Sequence, residues 1–386
     1  MNHFFKRLAT LLGLKSYAFF YLLIITGLSH AQITFTDIAG RTITLEKPAQ
    51  KIILGEGRFL AVLGVLGVEQ PISKVAGMMN DFKTYDFAGY ARYQEVFPEI
   101  DKVSTFGQTD EASVSIEKMI ELQPEVAIFG LSGHGPGAKS KKIIDVLTAV
   151  GIKVVFIDFR QKPIENTVKS VEIVGKVLGY GGQAALFAMY YRDKLEFIKK
   201  HVALIPKEQK PRVFFDLWAS NKKACCFTIA ESMFAEMAEF SGGVSIAKGQ
   251  LPGPVGMINN EYVLVSDFDV YIGTSSGAMN SSQEVYNHLV LGAQVSNSVA
   301  QEALQQVLQH RNFSQLRAVK SGNSFAIWHH FYNSPLNIYA IESMAKWFHP
   351  EIFKDLNPDY TLSELLGGFS PVDLSGVYSV QYSPRQ

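Results

Sequence analysis

The sequence predicts an α/β protein of two lobes, each with a mainly parallel sheet flanked by helices, joined by a single long helix. Three observations support this fold class. Short apolar strands alternate with helical patterns between residues 51 and 159, as in parallel sheets. Residues 183–204 have a helical pattern without proline or glycine, and a second alternating set begins after Pro206. We expect a ligand cleft between the lobes, since crevices of this kind are common binding sites.

The first lobe is predicted over residues 32–181. Alternating apolar residues on both sides of Gly40 predict a β-hairpin over residues 33–45. Short apolar runs predict strands at 51–54, 75–79, 126–129 and 154–159. Helical spacing of apolar residues predicts helices at 59–66, 116–122 and 143–147. Strands this apolar are typical of a sheet that is covered on both faces.

A linking helix is predicted over residues 182–205. Its 22 residues from 183 to 204 would span about 33 Å, roughly the width of a small domain. The second lobe follows over 206–348, with strands predicted at 213–217, 270–274 and 325–328, and helices at 232–240, 299–308 and 336–348. Residues 349–386 are rich in proline, glycine and serine, which predicts an irregular C-terminal tail.

The N-terminal residues 1–31 have the pattern of a cleavable secretory signal. Basic residues precede an uncharged stretch at 16–28 that is too short to span a bilayer, and Ser29 and Ala31 are the small residues at the −3 and −1 positions. Cleavage would leave Gln32 first, which carries no thiol for lipid attachment. A retained membrane anchor is the alternative. We therefore expect a protein that works outside the cytoplasm.

The composition of the mature chain excludes some classes of function. Removal of residues 1–31 takes away three of 36 basic residues and none of the 36 acidic ones, so the formal charge becomes −3. A nucleic-acid surface usually needs a clustered basic excess, so we expect no nucleic-acid partner. The only two cysteines are the adjacent Cys225 and Cys226. They are either joined in a strained disulfide or are two unbonded small residues at the start of a loop, and the sequence leaves this open.

Four stretches of the chain have an order and spacing that is specific when they are taken together. They are the opening hairpin with Pro48 and Lys51-Ile52-Ile53, Phe106-Gly107-Gln108 with residues 115–126, Gly242-Gly243 with residues 260–263, and residues 316–323 before a strand. In these four stretches the chain resembles periplasmic substrate-binding proteins of ABC importers. Within that group it resembles the helical-backbone class, which carries ferric siderophores, haem and vitamin B12. The resemblance implies rigid lobes, a monomer and an inner-membrane permease as partner.

The resemblance also implies one glutamate on each lobe that docks against arginines of the permease. In the first lobe this position falls near Glu95 or Glu99. In the second lobe some family members have glutamate directly after the paired glycines, where this chain has Val244. Glu239 or Glu236 would then have to take that role.

Ligand contacts in this architecture come from loops at the carboxyl ends of the strands. One such stretch of the first lobe carries Tyr85, Tyr90, Arg92 and Tyr93, and Arg58 follows another strand. Tyrosine suits a bulky aromatic ligand, and arginine suits the negative charge of a ferric catecholate, a carboxylate or a haem propionate. The alternatives are a tyrosine-rich loop packed on its own lobe, and an Arg58 that pairs with Glu56 or Asp81.

Histidines and aromatic residues follow the other strands. His134 lies in a glycine-rich loop whose backbone N–H groups could hold an anion, and we expect its side chain to be exposed. In the second lobe, Trp218 follows one strand, and His329, His330 and Tyr332 follow another. Adjacent residues of extended chain point to opposite sides, so we expect one of the two histidines to contact the ligand and the other to be structural.

These features predict a carrier that performs no chemistry and needs no cofactor. The first candidate ligand is an iron chelate, with a ferric siderophore ahead of haem or cobalamin. A carrier of free zinc or manganese is the alternative, although only three histidines lie on cleft loops and no metal site is predicted. An exported hydrolase is disfavoured because neither a GxSxG nor an HExxH motif occurs. We therefore expect no enzymatic activity.

Overall fold

The computed structural model describes residues 32–220, 225–277 and 288–383. The predicted signal at residues 1–31 lies outside these ranges and stays a prediction. Within the described ranges, no helix combines the length and the apolar character that crossing a membrane requires.

The first lobe contains a β-hairpin and a five-stranded sheet in which all neighbouring strands are parallel. Its strands are β1 (Ile33–Thr36), β2 (Thr42–Leu45), β3 (Ile52–Leu54), β4 (Val75–Met79), β5 (Ser104–Gly107), β6 (Val126–Gly130) and β7 (Lys153–Ile157). Its helices are α1 (Leu60–Val65), α2 (Pro71–Lys74), α3 (Asp81–Tyr85), α4 (Phe87–Val96), α5 (Ile116–Glu121) and α6 (Lys141–Ala149). The sheet order is β5-β4-β3-β6-β7. Every residue of the central strand β3 and of its neighbour β6 is buried, as expected for a sheet covered on both faces.

Two helices lead from the first lobe to the second. Helix α7 (Pro163–Leu178) ends at Gly179, whose φ of 82° is the left-handed conformation that suits glycine at a helix end. Helix α8 (Gly181–Val202) then runs antiparallel to α7 and continues onto the second lobe. Tyr191 of α8 hydrogen-bonds Asn337 of the second lobe at 2.7 Å. The predicted linking helix is therefore present, while the lobe boundaries 32–181 and 206–348 stay predictions.

The second lobe is built around another five-stranded sheet. The strands that follow α8 are β8 (Arg212–Asp216), β9 (Phe227–Ile229), β10 (Val244–Ser245), β11 (Val255–Met257), β12 (Val270–Ser275), β13 (Gly292–Ala293), β14 (Ser324–Trp328), β15 (Gly376–Val377) and β16 (Ser379–Gln381). The helices are α9 (Met233–Phe240), α10 (Asn260–Val265), α11 (Asn297–His310), α12 (Arg317–Lys320), α13 (Ile338–Phe348) and α14 (Pro358–Phe369). The sheet order is β10-β8-β12-β14-β16, and only β16 is antiparallel to its neighbour. The predicted fold class is confirmed.

The irregular tail predicted for residues 349–386 is wrong for residues 358–369, 376–377 and 379–381, which form α14, β15 and β16. We call residues 349–383 the C-terminal strap, because this segment contacts both lobes. Helix α14 packs against α1 of the first lobe and α13 of the second, and β16 extends the second sheet. Arg92 of the first lobe donates to the backbone carbonyl of Asp373 in the strap at 3.0 Å. The polar composition concealed these elements, because tertiary contacts rather than local propensity stabilise them.

Candidate functional site

The carboxyl ends of the two parallel sheets face each other across the junction of the lobes. Side chains from both edges form a set of contacts that we call the interlobe cluster. It comprises Glu56, Arg58, Asp81, His134 and Arg160 from the first lobe, and Trp218, His329, His330, Tyr332 and Asn333 from the second. Such an edge is where open α/β sheets bind ligands, so the cluster is the candidate site.

Arg58 lies at the centre of the cluster and is buried. Its guanidinium forms ion pairs with Glu56 and Asp81, both at 2.7 Å. It also hydrogen-bonds His330 Nδ1 at 3.0 Å and the Tyr332 hydroxyl at 3.1 Å. Burial alone would lower the pKa of Arg58, but Tyr332 and the two carboxylates raise it well above its ordinary value. The sequence left Glu56 and Asp81 as alternative partners, and the structure uses both.

Glu56 occupies the position in which the glycine-rich loop was expected to hold an external anion. Its carboxylate accepts the His134 backbone N–H at 3.2 Å and the Asn333 amide at 2.9 Å. A Cβ atom at Gly133 would lie only 2.1 Å from Glu56 Oε1, so this position needs glycine. Burial would raise the pKa of Glu56, yet Arg58, Arg160 and His134 together hold it below its ordinary value.

The Tyr332 hydroxyl is the point where the lobes make the most polar contacts. It lies 3.1 Å from Arg58 Nη1, 2.8 Å from Arg160 Nη2 and 3.1 Å from His134 Nε2. Arg160 is absent from the residues predicted from the sequence. It follows β7 by three residues, at the same sheet edge as the predicted loops, and that position was the signal that could have found it.

His134 is half-buried rather than exposed. Burial and then Arg58 lower its pKa to about 4, so the ring is neutral at pH 7. Nδ1 lies 3.2 Å from the Thr109 carbonyl, which can only accept, and this places the ring proton on Nδ1. Nε2 is then the acceptor for the Tyr332 hydroxyl.

The two adjacent histidines of the second lobe have different contacts, but the alternation argument does not explain this, because both lie in the short 3-10 helix His329–Asn333 and not in extended chain. His330 reaches across to Arg58 and, through Nε2, to the Tyr85 carbonyl at 2.9 Å. His329 stays in its own lobe, where Nδ1 lies 2.8 Å from Thr274 Oγ1. Both rings are buried, and burial lowers the pKa of each well below its ordinary value.

Trp218 covers His329, with ring centroids 4.1 Å apart, and its indole lies 6.1 Å from the Tyr85 ring of the first lobe. Its φ of 53° is unusual for a bulky residue. The Trp218 backbone N–H donates to Thr274 Oγ1 at 3.2 Å, which helps to hold this backbone conformation. Conformations of this kind are often found at functional sites, which supports a functional role for the indole.

The tyrosine- and arginine-rich stretch contributes only Tyr85 to contacts across the cluster. The stretch forms α3 and α4 rather than a loop. Tyr90 is buried and donates to Asp101 at 2.8 Å. Tyr93 packs on Phe82 and lines a cavity of about 50 Å³ behind Arg58, and Arg92 contacts the strap. The alternative of packing on their own lobe therefore describes Tyr90, whereas the Tyr93 hydroxyl also bonds Ser370 of the strap.

The predicted docking glutamates lie on the surface. Glu95 pairs with Arg92, and Glu239 pairs with Lys248 at 2.8 Å. Glu99 is exposed in the short 3-10 helix Pro98–Lys102. Glu236, the second-lobe alternative, instead accepts the Ile164 backbone N–H at the start of α7, and burial raises its pKa to about 7. This inward contact makes Glu239 the better candidate of the two.

The structure pairs Cys225 with Cys226, which corresponds to the first of the two alternatives that the sequence left open. Among residues 32–220, 225–277 and 288–383, no group of three His, Cys, Asp or Glu side chains is placed to hold a metal ion.

No known family profile and no curated protein matches the sequence. The structure matches solved ones, and its fold is that of the TroA-like periplasmic binding proteins. The TroA-like periplasmic binding protein FepB from Veillonella parvula has a TM-score of 0.79 and 24% identity, over 91% of this chain and 100% of that one. The molybdate-binding protein MolA of Haemophilus influenzae has a TM-score of 0.64 and 15% identity, over 89% of this chain and 99% of that one. CeuE of Helicobacter pylori, in a Ni-His complex, has a TM-score of 0.60 and 14% identity, over 87% of this chain and 95% of that one.

The buried neutral histidines predict a pH dependence of stability. Because folding depresses the pKa of His329, its stabilising contribution is complete above the unfolded pKa near 6.5 and is lost as the pH falls below it. We expect His329→Asn to reduce the loss of unfolding free energy between pH 7 and pH 5 by about 2 kcal/mol. Urea unfolding at both pH values measures this. His310→Asn, at an exposed position, is the control, and an equal effect of both variants would contradict the prediction.

Proposed function

We propose that this chain is the solute-binding component of an ABC importer, which captures an anionic iron chelate and delivers it unaltered to an inner-membrane permease. A ferric siderophore is the first candidate ligand. The fold supports a periplasmic binding role, because the relatives named above are described as binding proteins rather than enzymes. The observation that carries the proposal is the convergence of Arg58, Arg160 and His134 on the junction with the second lobe.

The contacts of Arg160 favour an anionic ligand. Arg58 is matched by two carboxylates, but the Arg160 guanidinium hydrogen-bonds the uncharged Tyr332 and His134, and its buried Nε has no hydrogen-bond partner among the described residues. A guanidinium that is not held in an ion pair suits the carboxylate or phenolate oxygens of a ferric chelate. No group of three His, Cys, Asp or Glu side chains in the described ranges is placed to hold a metal ion, which disfavours the zinc or manganese alternative.

Aromatic surfaces complete the proposed site. Tyr85 lies 5.4 Å from the His134 ring and 6.1 Å from Trp218, so aromatic rings from both lobes meet beside the arginines. A flat aromatic chelate can stack against such surfaces. Haem and cobalamin also have large apolar faces and remain the alternative ligands. Permease docking through Glu95 or Glu99 and Glu239 is part of the proposal, which their surface positions support.

Fluorescence titration tests the proposal. We expect ferric citrate or a ferric tris-catecholate to quench the intrinsic fluorescence of the purified protein in a saturable manner. Trp218→Phe should remove a larger share of the quenching than Trp347→Phe, because Trp347 stacks on Phe325 at 4.4 Å, outside the cluster. The absence of quenching by both chelates, haem and cobalamin would overturn the proposal.

A further inference from the structure

One hydroxyl of the second lobe is held by three side chains of the first. Arg58, Arg160 and His134 all lie within 3.1 Å of the Tyr332 hydroxyl oxygen. Tyr332 itself is buried, and its ring faces the Arg160 guanidinium at 4.7 Å. A chelate cannot hydrogen-bond all three of these side chains while the Tyr332 hydroxyl occupies the space between them. The Tyr332 hydroxyl therefore occupies the position that a ligand oxygen would need, although Tyr332 is itself part of the proposed binding site.

The chemistry around this oxygen is that of an oxyanion site. Arg58 Nη1 and Arg160 Nη2 can only donate, so the hydroxyl oxygen accepts from two guanidinium groups. Its own proton goes to His134 Nε2, the unprotonated nitrogen of the neutral ring, which Arg160 Nη2 also contacts at 3.3 Å. Two charged donors aimed at one oxygen match a carboxylate or phenolate better than they match a neutral phenol.

We propose that the Tyr332 hydroxyl stands in for a ligand oxyanion and acts as a latch between the lobes, which an anionic chelate releases by replacing it. This inference rests on the proposed function and adds its regulation. The ligand oxygen is a carboxylate or phenolate oxygen, since either offers Arg160 the negative charge that the neutral Tyr332 hydroxyl does not. The latch makes the lobes separate in response to an anion rather than to any bulky solute.

The latch also sets the direction of a mutational effect. Each ligand must first break the bonds of Tyr332, and the free energy of those bonds is subtracted from the binding free energy. Tyr332→Phe removes the hydroxyl and leaves Arg58, Arg160 and His134 in place. We expect the variant to bind an anionic chelate about 3- to 10-fold more tightly than the native protein does.

Calorimetry with three probes tests the latch: ferric citrate for carboxylate oxygens, a ferric tris-catecholate for phenolate oxygens, and ferrichrome as an uncharged ferric hydroxamate. Tyr262→Phe is the matched control, because the Tyr262 hydroxyl bonds only the Ile246 carbonyl of its own lobe, at 3.2 Å. Tighter binding of one or both anions by Tyr332→Phe alone supports the latch, and the probe that responds identifies the oxygen class. Small-angle scattering without ligand should show a larger radius of gyration for Tyr332→Phe.

Two results would overturn the latch. If Tyr332→Phe binds the anions more weakly than the native protein, the hydroxyl is a ligand contact and not its competitor. If both the affinity and the radius of gyration stay native, the hydroxyl does not hold the lobes. In both cases the native protein still binds a chelate, so the proposed function stands. If the native protein binds none of the three probes, the ferric chelate of the proposed function is wrong, and the ligand-release role of the latch fails with it.

Discussion

Replacing Arg160 with glutamine is expected to weaken the binding of an anionic ferric chelate by about 10- to 100-fold. Arg160 contributes the guanidinium of the interlobe cluster that bonds only uncharged side chains, Tyr332 at 2.8 Å and His134 at 3.3 Å. A hydrogen bond to a charged group contributes about 1.5–3 kcal/mol, which corresponds to that change in affinity. Glutamine keeps a donor and removes the charge. Isothermal titration with ferric citrate and a ferric tris-catecholate measures the loss.

Arg192→Gln is the matched control for this substitution. Arg192 lies on the exposed face of α8, where it pairs with Glu172 at 2.9 Å. It has the same charge as Arg160, so both variants change the net charge of the protein equally. We expect native affinity for Arg192→Gln. Equal losses in both variants would mean that long-range charge, rather than a contact of Arg160, attracts the chelate.

Replacing Arg58 with methionine is expected to lower the free energy of unfolding by about 3–5 kcal/mol. Methionine fills similar space but leaves the carboxylates of Glu56 and Asp81 buried without their cation. Removing one partner from a buried ion pair typically costs this much, because the remaining charge is uncompensated. Part of the penalty is relieved by proton uptake, since burial already raises the pKa of Asp81 to about 6. Urea unfolding at pH 7.5 measures the change.

Two comparisons separate this effect from a general loss of packing. Arg192→Met removes an exposed ion pair, for which we expect at most about 1 kcal/mol. Adding Glu56→Gln to Arg58→Met removes one of the two buried carboxylates that lack their cation, and should restore part of the lost stability. If the double variant is less stable than Arg58→Met, the buried charge is not the cause of the destabilisation.

The sequence was sufficient to predict the fold class, because its main signals are local. The apolar strands and the helical stretch without proline or glycine each correspond to an observed element. Strand β16 could not be predicted in this way. It has three residues, Ser379–Gln381, and exists because β14 offers an edge with which it pairs. Helix α14 likewise depends on its contacts with both lobes.

The candidate site was predictable in its location but not in its contacts. The rule that ligands bind at the carboxyl ends of parallel strands placed Arg58 and His134 at the edge of the first sheet and Tyr332 at the edge of the second. The sequence could not show that Glu56 fills the glycine-rich loop, since that depends on a distance between two strands. Nor could it show that Tyr90 turns toward Asp101, because side-chain direction follows from the helix that the stretch forms.

Strand β16 also protects the second sheet from other chains. Strand β14 is buried along its whole length, and residues 379–381 cover one of its edges. Without this short strand, the backbone N–H and C=O groups along that edge of β14 would be unpaired. Unpaired sheet edges recruit other chains into aggregates, so three residues of irregular-looking sequence act as a guard against self-association.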